Sequence, residues 1–427
     1  MIFSPLLRSR RFLPLFLTQF LGALNDNFFK NAVVILVTYR TAEEFRIAPQ
    51  TLVTISGALF IFPYLIFCAT AGKLADKFDK ARIAQIIKIA EVGFMMLAVI
   101  GFMFHLIGFL FAVLFCMGAH SAFFSPVKYA LLPDHLHEDE LMEGNAYIEA
   151  GTFIAILVGT IAGGLMVLRP DGEAAVSCTV IAIALLGVLA SRFIPPATIR
   201  DATVRVRLNL IKETWEIIAY VGKRSALLKA ALANSWFWFV GMTFLTLFPA
   251  FTKQIIGADE HVVTLFLTGF SVGIGIGAIA CGSLLKGKLS TRYVAWSAIG
   301  MSLFTFDLYG VSPHQLSEHQ GTLITLSAFL SSSMGWRMVV DLFMIAIFGG
   351  FYIVPLYAVL QKQSEPKHRA QVMACNNVIN AFFMVSSALL ALGLFALGFS
   401  VAQVFLVAGI LNLMVAAWLF TPGGQLS

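Results

Sequence analysis

Charged and amide side chains recur inside an otherwise apolar segment near the start of the chain. Asp26 and Lys30 are four residues apart, so on a helix they share a face and can pair, and Asn27 lies beside them. Because a charge at bilayer depth costs about 2.5–3.5 kcal/mol on insertion scales, such groups face a cavity or a partner. The pattern predicts a polar wall of a substrate cavity, with a structural ion pair between helices as the alternative. The same helical face includes Gln19, Gly22 and Val33.

Two other polar positions lie in apolar segments further along the chain. Glu149 follows Asn145 by about one turn, and its carboxylate could bind a cationic head group or a proton, or could serve as a helix cap. Asn377 recurs with Asn376 and Asn380 at helical spacing. We expect Glu149 and Asn377 to contribute to the same cavity as the first segment.

Three further carboxylates are less informative. Arg337 and Asp341, one turn apart, predict a structural bridge near the outer surface. Glu91 and Asp307 are single carboxylates within apolar segments, and their spacing assigns them no partner.

Glycines recur at four-residue spacing in two apolar segments. Gly159 and Gly163 lie in the fifth segment, and Gly273 and Gly277 lie in the eighth. Small residues at this spacing let helix backbones approach closely. Tight packing alone explains them, and a sliding contact between two halves of the molecule is the functional alternative.

Aromatic side chains cluster in the seventh and tenth apolar segments. Trp236 begins one cluster, which runs to Phe239. The second cluster consists of Phe343, Phe348, Phe351 and Tyr352. A lipid-facing surface explains most of them, and an apolar pocket for an acyl chain is the alternative.

The elements that position these residues follow from composition. Of 427 residues, 59% are apolar and 12% are charged, against about 45–50% and about 25% in soluble chains. This much apolar surface cannot be hidden in globular cores, so a soluble protein is excluded. The five cysteines are scattered through apolar segments, which indicates no disulfide framework.

Twelve apolar segments are long enough to span a bilayer. The first is better explained as an uncleaved span than as a signal peptide, since no convincing cleavage site follows it. The predicted fold is an all-α integral membrane protein with twelve transmembrane helices in two six-helix bundles. The segments are 12–39, 51–72, 82–104, 107–129, 144–168, 174–193, 230–252, 262–284, 292–310, 337–360, 373–397 and 401–420.

One long connection divides the segments into six and six. Residues 193–229 are rich in Lys and Arg, and they separate bundles predicted at 1–192 and 230–427. Within the connection, apolar residues at helical spacing predict an amphipathic helix on the membrane surface. These are Leu208, Ile211, Trp215, Ile218 and Val221.

The basic residues predict the orientation. If the N-terminus is cytoplasmic, most of the 29 Lys and Arg residues lie at cytoplasmic ends, including Lys73, Lys80 and Lys88. Since cytoplasmic loops carry the excess of Lys and Arg, both termini are predicted to be cytoplasmic. The opposite ends hold Arg40, Arg46, Arg169, Lys253 and Arg337.

Patterns typical of catalysis or cofactor binding are incomplete. Residues 282–288 read G-x-x-x-x-G-K, but Leu289 replaces the hydroxyl residue that would ligate magnesium in a phosphate loop. The polar cluster around His135 and His137 fits no standard metal spacing. None of the eight histidines has an Asp five residues on, which argues against a membrane acyltransferase. We therefore expect no enzyme, no metal and no cofactor.

The connection after the second segment carries a recognisable motif. Residues 72–82 read GKLADKFDKAR, which resembles the loop signature of the major facilitator superfamily. The resemblance implies that Asp76 acts as a gate latch at a helix end, with Lys77 and Arg82 as the motif's basic positions. Asp79 stands where the family usually has Gly. The equivalent second-half loop keeps Gly282 and basic residues but has Lys286 in place of the acid.

A closer resemblance covers nearly the whole chain. The segments QFLGALNDN (19–27), SPVKY (125–129), GNAYIEA (144–150) and GGFYIVPL (349–356) together resemble bacterial lysophospholipid transporters. They equally resemble the transporter half of fusions with an acyltransferase and an acyl–acyl-carrier-protein synthetase. The resemblance implies a bacterial inner-membrane flippase. It implies inward movement of lysophosphatidylethanolamine and related lysolipids for reacylation by a cytoplasmic-side acyltransferase, with substrate-binding roles at Asp26, Lys30, Lys128 and Tyr129.

The residues agree with that expectation but leave alternatives. Asp26, Lys30 and Glu149 could hold ammonium and phosphate, while aromatic residues hold the acyl chain. In this superfamily the fifth and eighth spans meet, so the glycine lines would form a seam that admits lipid laterally and parts as the bundles rock. The main alternative is a proton-coupled exporter of small molecules or drugs, with Asp26, Glu149 and Asp307 as proton sites. The coupling ion, H⁺ or Na⁺, is left open.

Overall fold

A computed structural model describes residues 5–37, 49–199, 202–203, 206, 209–285, 292–312 and 323–421, with the side chains of 49–54 and 292 excepted. Within these ranges the chain is helical, and the only extended pairing is an isolated bridge between Ala258 and Ile324. Residues 286–291, which hold most of the second-half loop, and Leu208 lie outside the described part.

Six long helices form the first half of the chain. They are α1 (Leu13–Leu36), α2 (Pro49–Lys77), α3 (Lys80–Met103), α4 (Ile107–His135), α5 (Leu141–Val167) and α6 (Gly172–Ser191). A shorter helix follows in the long connection, α7 (Leu210–Gly222). The second half contains α8 (Ser225–Ala250), α9 (Glu260–Leu285), α10 (Arg292–Val311), the short α11 (Leu326–Leu330), α12 (Ser333–Gln363), α13 (Arg369–Ala396) and α14 (Val401–Phe420).

Eleven helices in the described part are long and apolar enough to cross a membrane by length and composition. Helix α1 is the twelfth long helix, with 24 residues. Its amide and charged side chains lower its mean hydropathy, which is why it is not one of the eleven. The prediction of an all-α, multi-span membrane fold is confirmed.

The helices pack first within each half and then across the middle. In the first half α1 packs on α5 and α6, and α4 packs on α2 and α3. In the second half α12 packs on α9 and α10, and α13 packs on α8. The halves meet along α5 with α9 and along α2 with α13. The division at residues 1–192, 193–229 and 230–427 stays a prediction.

Asp79, which departs from the family motif, has a structural function. Its carboxylate Oδ1 accepts the N–H of Ala81 at 3.0 Å and so caps the start of α3. The same oxygen accepts the N–H of Ala197 at 3.0 Å. Asp79 therefore ties the start of the long connection to the loop between α2 and α3.

Helix α7 confirms the predicted helix, while its position on a membrane surface stays a prediction. Ile211 and Trp215 are 84% and 72% exposed, whereas Glu213, Ile217 and Val221 are buried. The buried face packs against α2, α8 and α13. The exposed side chains of Ile211 and Trp215 lie on the opposite side of the helix from this contact, where the predicted membrane surface would be.

The predicted glycine seam also requires correction. A Cβ on Gly163 would lie 2.2 Å from the carbonyl oxygen of Phe28, and a Cβ on Gly159 would meet the same helix, α1. A Cβ on Gly277 would lie 2.1 Å from the carbonyl oxygen of Ile347 on α12, and Gly273 faces α12 as well. The four glycines therefore allow close packing inside each half and do not meet one another across α5 and α9.

Candidate substrate cavity

A cavity of about 420 Å³ lies between the two halves of the helical core. Most of its polar side chains come from α1 and α4, and residues of α8 and α13 contribute much of its apolar surface. Polar lining residues include Gln19, Asp26, Asn27, Lys30, Asn31, His120, Ser121, Ser125, Lys128 and Asn377. Apolar and aromatic lining residues include Phe60, Phe124, Phe153, Trp238, Met242, Leu245, Ala381 and Met384.

Asp26 and Lys30 both line the cavity, but they do not form the predicted pair. Ser121 donates to Oδ2 of Asp26, and Oδ1 of Asp26 has no hydrogen-bond partner among the described residues. The Lys30 ammonium donates to Oδ1 of Asn27 at 3.1 Å and lies over the Phe60 ring, 5.3 Å from its centroid. One carboxylate oxygen is thus buried without a hydrogen-bond partner among the described residues, because Ser121 rather than Lys30 holds Asp26.

The cavity ends on a pair of stacked tyrosines. The rings of Tyr129 on α4 and Tyr357 on α12 are parallel, with centroids 4.2 Å apart. Tyr129 donates its hydroxyl to Oε1 of Glu149 at 2.5 Å, and Glu149 is fully buried behind it. The Lys128 ammonium lies 4.8 Å from the Tyr129 ring centroid. Glu149 therefore supports the floor of the cavity, while Lys128 lines it.

Amide side chains join the two halves around this floor. Asn145 on α5 donates to Oε1 of Gln361 on α12 at 2.6 Å, and Gln361 donates back to Oδ1 of Asn145 at 3.1 Å. Asn377 on α13 donates to the Ser125 hydroxyl on α4 at 2.9 Å. These bonds cross between the halves, so separation of the halves at this end must break them.

Asp76 occupies the position that the motif predicts for a latch. Its buried carboxylate accepts the backbone N–H of Ala370 at 3.1 Å, and of Gln371 at 3.2 Å, at the start of α13. The Gln371 side chain donates a third bond at 3.1 Å. A Cβ on Gly72 would lie 2.8 Å from the carbonyl oxygen of Ala370, so this glycine permits the close approach of α2 and α13.

The other two motif residues lie away from this contact. The Lys77 ammonium lies over the neighbouring Phe78 ring, 5.6 Å from its centroid. The side chain of Arg82 is 83% exposed, with Asp79 at 3.9 Å. The structure thus brings Asp76, but neither Lys77 nor Arg82, into the contact between the halves.

Ion pairs close the same end of the molecule, which we call the basic end after Lys73, Lys362 and Arg224. Lys73 on α2 lies 2.5 Å from Glu213 and 2.9 Å from Glu216, both on α7. Arg224 donates to Glu365 at 2.9 Å, and this guanidinium lowers the pKa of the Glu365 carboxyl. Lys362 lies 3.2 Å from Glu138.

A charged cluster that the sequence did not reveal lies inside the first half. Lys88 was expected at a cytoplasmic end, but its side chain is fully buried and its ammonium lies 2.5 Å from Oε2 of Glu91. Asn25 donates to Oε1 of Glu91 at 2.7 Å, and Nε2 of His120 lies 3.3 Å from Oε2. The three-residue spacing of Lys88 and Glu91 on one helix could have predicted this ion pair from the sequence.

Most of the predicted aromatic pocket lies elsewhere. Trp236 donates its indole N–H to Asn412 at 2.9 Å and stacks on Phe239, away from the cavity. Trp238 lines the cavity in its place. The predicted pair of Arg337 with Asp341 is wrong, because Arg337 donates to Asp307 at 2.8 Å.

Comparisons with known proteins agree with this architecture. Residues 15–312 match the Major Facilitator Superfamily. Lysophospholipid transporters LplT of Salmonella typhi and Salmonella heidelberg (strain SL476) are each 26% identical to this chain over 397 residues, which cover 91% of this chain and 88% of theirs.

Solved structures show the same fold. The human organic anion transporter MFSD10 (TETRAN) superposes with a TM-score of 0.75 at 12% identity, covering 96% of this chain and 99% of that one. The transporter FucP in its outward conformation gives 0.70 at 12% identity, covering 95% and 97%. Since the family match extends over well more than half of the sequence, the chain belongs to the major facilitator superfamily of transporters.

Proposed function

We propose that this transporter moves lysophosphatidylethanolamine and related lysophospholipids from the outer to the inner leaflet of a bacterial inner membrane. The observation that carries the proposal is the division of one cavity into an ionic wall and an apolar wall. A lysolipid has one charged head group and one acyl chain, so it needs both surfaces at once. The Salmonella relatives, which are lysophospholipid transporters, point to the same substrate class.

The ionic wall offers complementary groups for a zwitterionic head group. The free Oδ1 of Asp26 suits an ammonium group. The ammonium groups of Lys30 and Lys128 suit a phosphate, because each lies in the cavity without a carboxylate salt bridge among the described residues. Charge-assisted hydrogen bonds of this type are stronger than neutral ones. We assign no direct ligand contact to Glu149, which supports Tyr129.

The apolar wall suits a single acyl chain. Trp238, Met242 and Leu245 on α8 and Met384 on α13 provide carbon surface without buried charge. The amides of Asn377 and Asn380 on α13 border this carbon surface, so polar and apolar groups lie side by side in the cavity. The wall therefore favours an amphipathic substrate over a sugar or a small ion.

The closed basic end fits the proposed direction. If this end faces the cytoplasm, as the distribution of Lys and Arg predicts, then the structure is closed toward the cytoplasm by Asp76 and the Tyr129–Tyr357 stack. Lysolipid would then bind from the outer side, and rocking of one half against the other would open the basic end. Release would deliver the lysolipid to a cytoplasmic-side acyltransferase for reacylation.

Lateral access is part of the proposal. An apolar groove lies along the C-terminal part of α5, which is distant from the basic end. Thr268 of α9 lies on the other side of this groove, and Arg169 lies at its end. Its apolar lining residues are Leu157, Val158, Ile161, Ala162, Leu165 and Met166. A membrane-facing groove between α5 and α9 would let the acyl chain stay in lipid while the head group enters.

The test is transport in proteoliposomes with labelled lysophosphatidylethanolamine, with and without H⁺ and Na⁺ gradients. Asp26→Asn removes the ammonium-binding charge and should reduce transport by more than about tenfold, since a charged hydrogen bond contributes about 1.5–3 kcal/mol. Asp139→Asn makes the same chemical change at an exposed loop position and should leave transport unaltered. Equal transport by both variants would reject the head-group assignment, and no lysolipid movement under any gradient would favour a proton-coupled exporter of soluble compounds.

A further inference from the structure

The buried cluster of Lys88, Glu91, Asn25 and His120 has no place in the transport cycle described so far. Both side chains of the Lys88–Glu91 pair are essentially inaccessible. Breaking a buried pair by removing one partner leaves an uncompensated charge, which is strongly unfavourable. Lys88 and Asn25 already hold the Glu91 carboxylate, so its approach to His120 at 3.3 Å is an additional interaction.

His120 is the member of this cluster that reaches the substrate cavity. Its Nε2 lies 3.3 Å from Oε2 of Glu91, and neither ring nitrogen has a hydrogen-bond partner among the described residues although the side chain is about 95% buried. The next residue, Ser121, donates to Asp26. His120 is therefore a buried imidazole in the cavity wall beside the proposed ammonium site, with the Glu91 carboxylate next to its Nε2.

The charge state of His120 determines the net charge of the cavity. The lining carries Asp26, Lys30 and Lys128, and the floor carries Glu149, so these four groups balance. With a neutral His120 the site matches a zwitterionic head group. With a positively charged His120, the site carries one extra positive charge.

We propose that His120 is a head-group selectivity residue, which in its charged form favours lysolipids with a net negative head group over zwitterionic ones. The proposal rests on the proposed lysolipid transport. A charged His120 repels the ammonium of ethanolamine but does not repel a neutral glycerol, while the phosphate is common to both. The favoured class therefore has a phosphodiester with an uncharged alcohol, such as lysophosphatidylglycerol.

Selectivity should also depend on pH. Histidine ordinarily changes charge between about pH 5 and about pH 8. The neighbouring helix α13 contributes the neutral amide of Asn377 to the cavity. The titratable groups that share the cavity, its floor or the cluster with His120 are Asp26 and Lys30 on α1, Tyr64 on α2, Lys88 and Glu91 on α3, Lys128 and Tyr129 on α4, Glu149 on α5 and Tyr357 on α12.

The test is competitive transport of lysophosphatidylglycerol and lysophosphatidylethanolamine, mixed equally in proteoliposomes, with the same buffer on both sides. We expect the wild-type ratio of anionic to zwitterionic transport to rise about tenfold from about pH 8 to about pH 5.5. This factor corresponds to the interaction of one unit charge on His120 with a head-group charge about 10 Å away, at an effective dielectric constant of about 20. His120→Gln should remove this pH dependence, and His120→Arg should keep the ratio high at both pH values.

Several outcomes separate the two proposals. A wild-type ratio that is equal at both pH values overturns the role of His120 without any variant. Retention of the wild-type pH dependence by His120→Gln overturns it equally. Failure of the wild-type protein to move either lysolipid above protein-free liposomes instead rejects the proposed function itself, and the role of His120 with it.

Discussion

Replacement of Asp76 by Asn should open the basic end of the transporter. The carboxylate of Asp76 accepts two backbone N–H groups at the start of α13 and one side-chain N–H of Gln371. Asparagine keeps one acceptor oxygen and turns an NH₂ group toward the other donors. In the open form this position meets water, so only the closed form loses these bonds.

The size of the effect follows from the charge on the acceptor. Hydrogen bonds to charged groups contribute about 1.5–3 kcal/mol. A loss of about 2 kcal/mol from the closed form corresponds to a roughly thirtyfold increase in the ratio of open to closed molecules. The interaction of the carboxylate with the N-terminal end of the α13 dipole adds to the change in the same direction.

Cys375 gives a direct assay. It is 1% exposed on α13 and follows Ala374, whose Cβ would contact a Cβ on Gly72 of α2. In a chain with the other four cysteines replaced, maleimide labelling of Cys375 should be roughly thirtyfold faster in Asp76→Asn, because labelling follows the open population. Asp139→Asn serves as the control. Equal labelling rates in Asp76→Asn and the parent chain would refute the latch.

Two further comparisons test other parts of the structure. Gly163→Ala places a Cβ within 2.2 Å of a carbonyl oxygen of α1, so it should destabilise the protein by about 1–3 kcal/mol. The control is Gly275→Ala, whose Cβ meets nothing closer than 3.7 Å and which should leave the melting temperature nearly unchanged. Similar melting temperatures of the two variants in detergent would contradict the packing of Gly163 against α1. Trp238→Ala removes apolar cavity surface, and the loss of roughly 60 Å² of contact should raise the lysolipid concentration for half-maximal transport by about tenfold. Trp236→Ala should not raise this concentration. An equal rise in both variants would contradict the assignment of the acyl-chain wall.

The sequence was informative where a residue type is costly in a membrane. Asp26 and Lys30 stand out because charges in apolar segments require a cavity or a partner, and both line the cavity. Lys128, whose binding role came only from the family resemblance, lines it as well. Asp76 could be placed because its motif combines a glycine for close approach with an acid at a helix end. In each case the physical constraint acts on a single residue or a short segment.

Partners on other helices could not be predicted. The spacing of Asp26 and Lys30 permits a pair, but Ser121 on α4 competes for the carboxylate. The glycine lines show that a close helix lies nearby without showing which helix it is. Trp236 and Trp238 differ by about 200° around the α8 axis, so a shift of two positions in the sequence separates the cavity from the interior of the second half.

Leaflet-resolved transport is the most direct measurement of directional movement of a single-chain lipid by this protein. Labelled lysophosphatidylethanolamine would be placed in the outer leaflet of vesicles containing oriented protein, with albumin extraction reporting what remains there. We expect protein-dependent loss from the outer leaflet, which Asp26→Asn reduces by more than about tenfold and which is absent for the corresponding two-chain phospholipid. Loss no faster than in protein-free vesicles, or equal movement of the two-chain lipid, would contradict it.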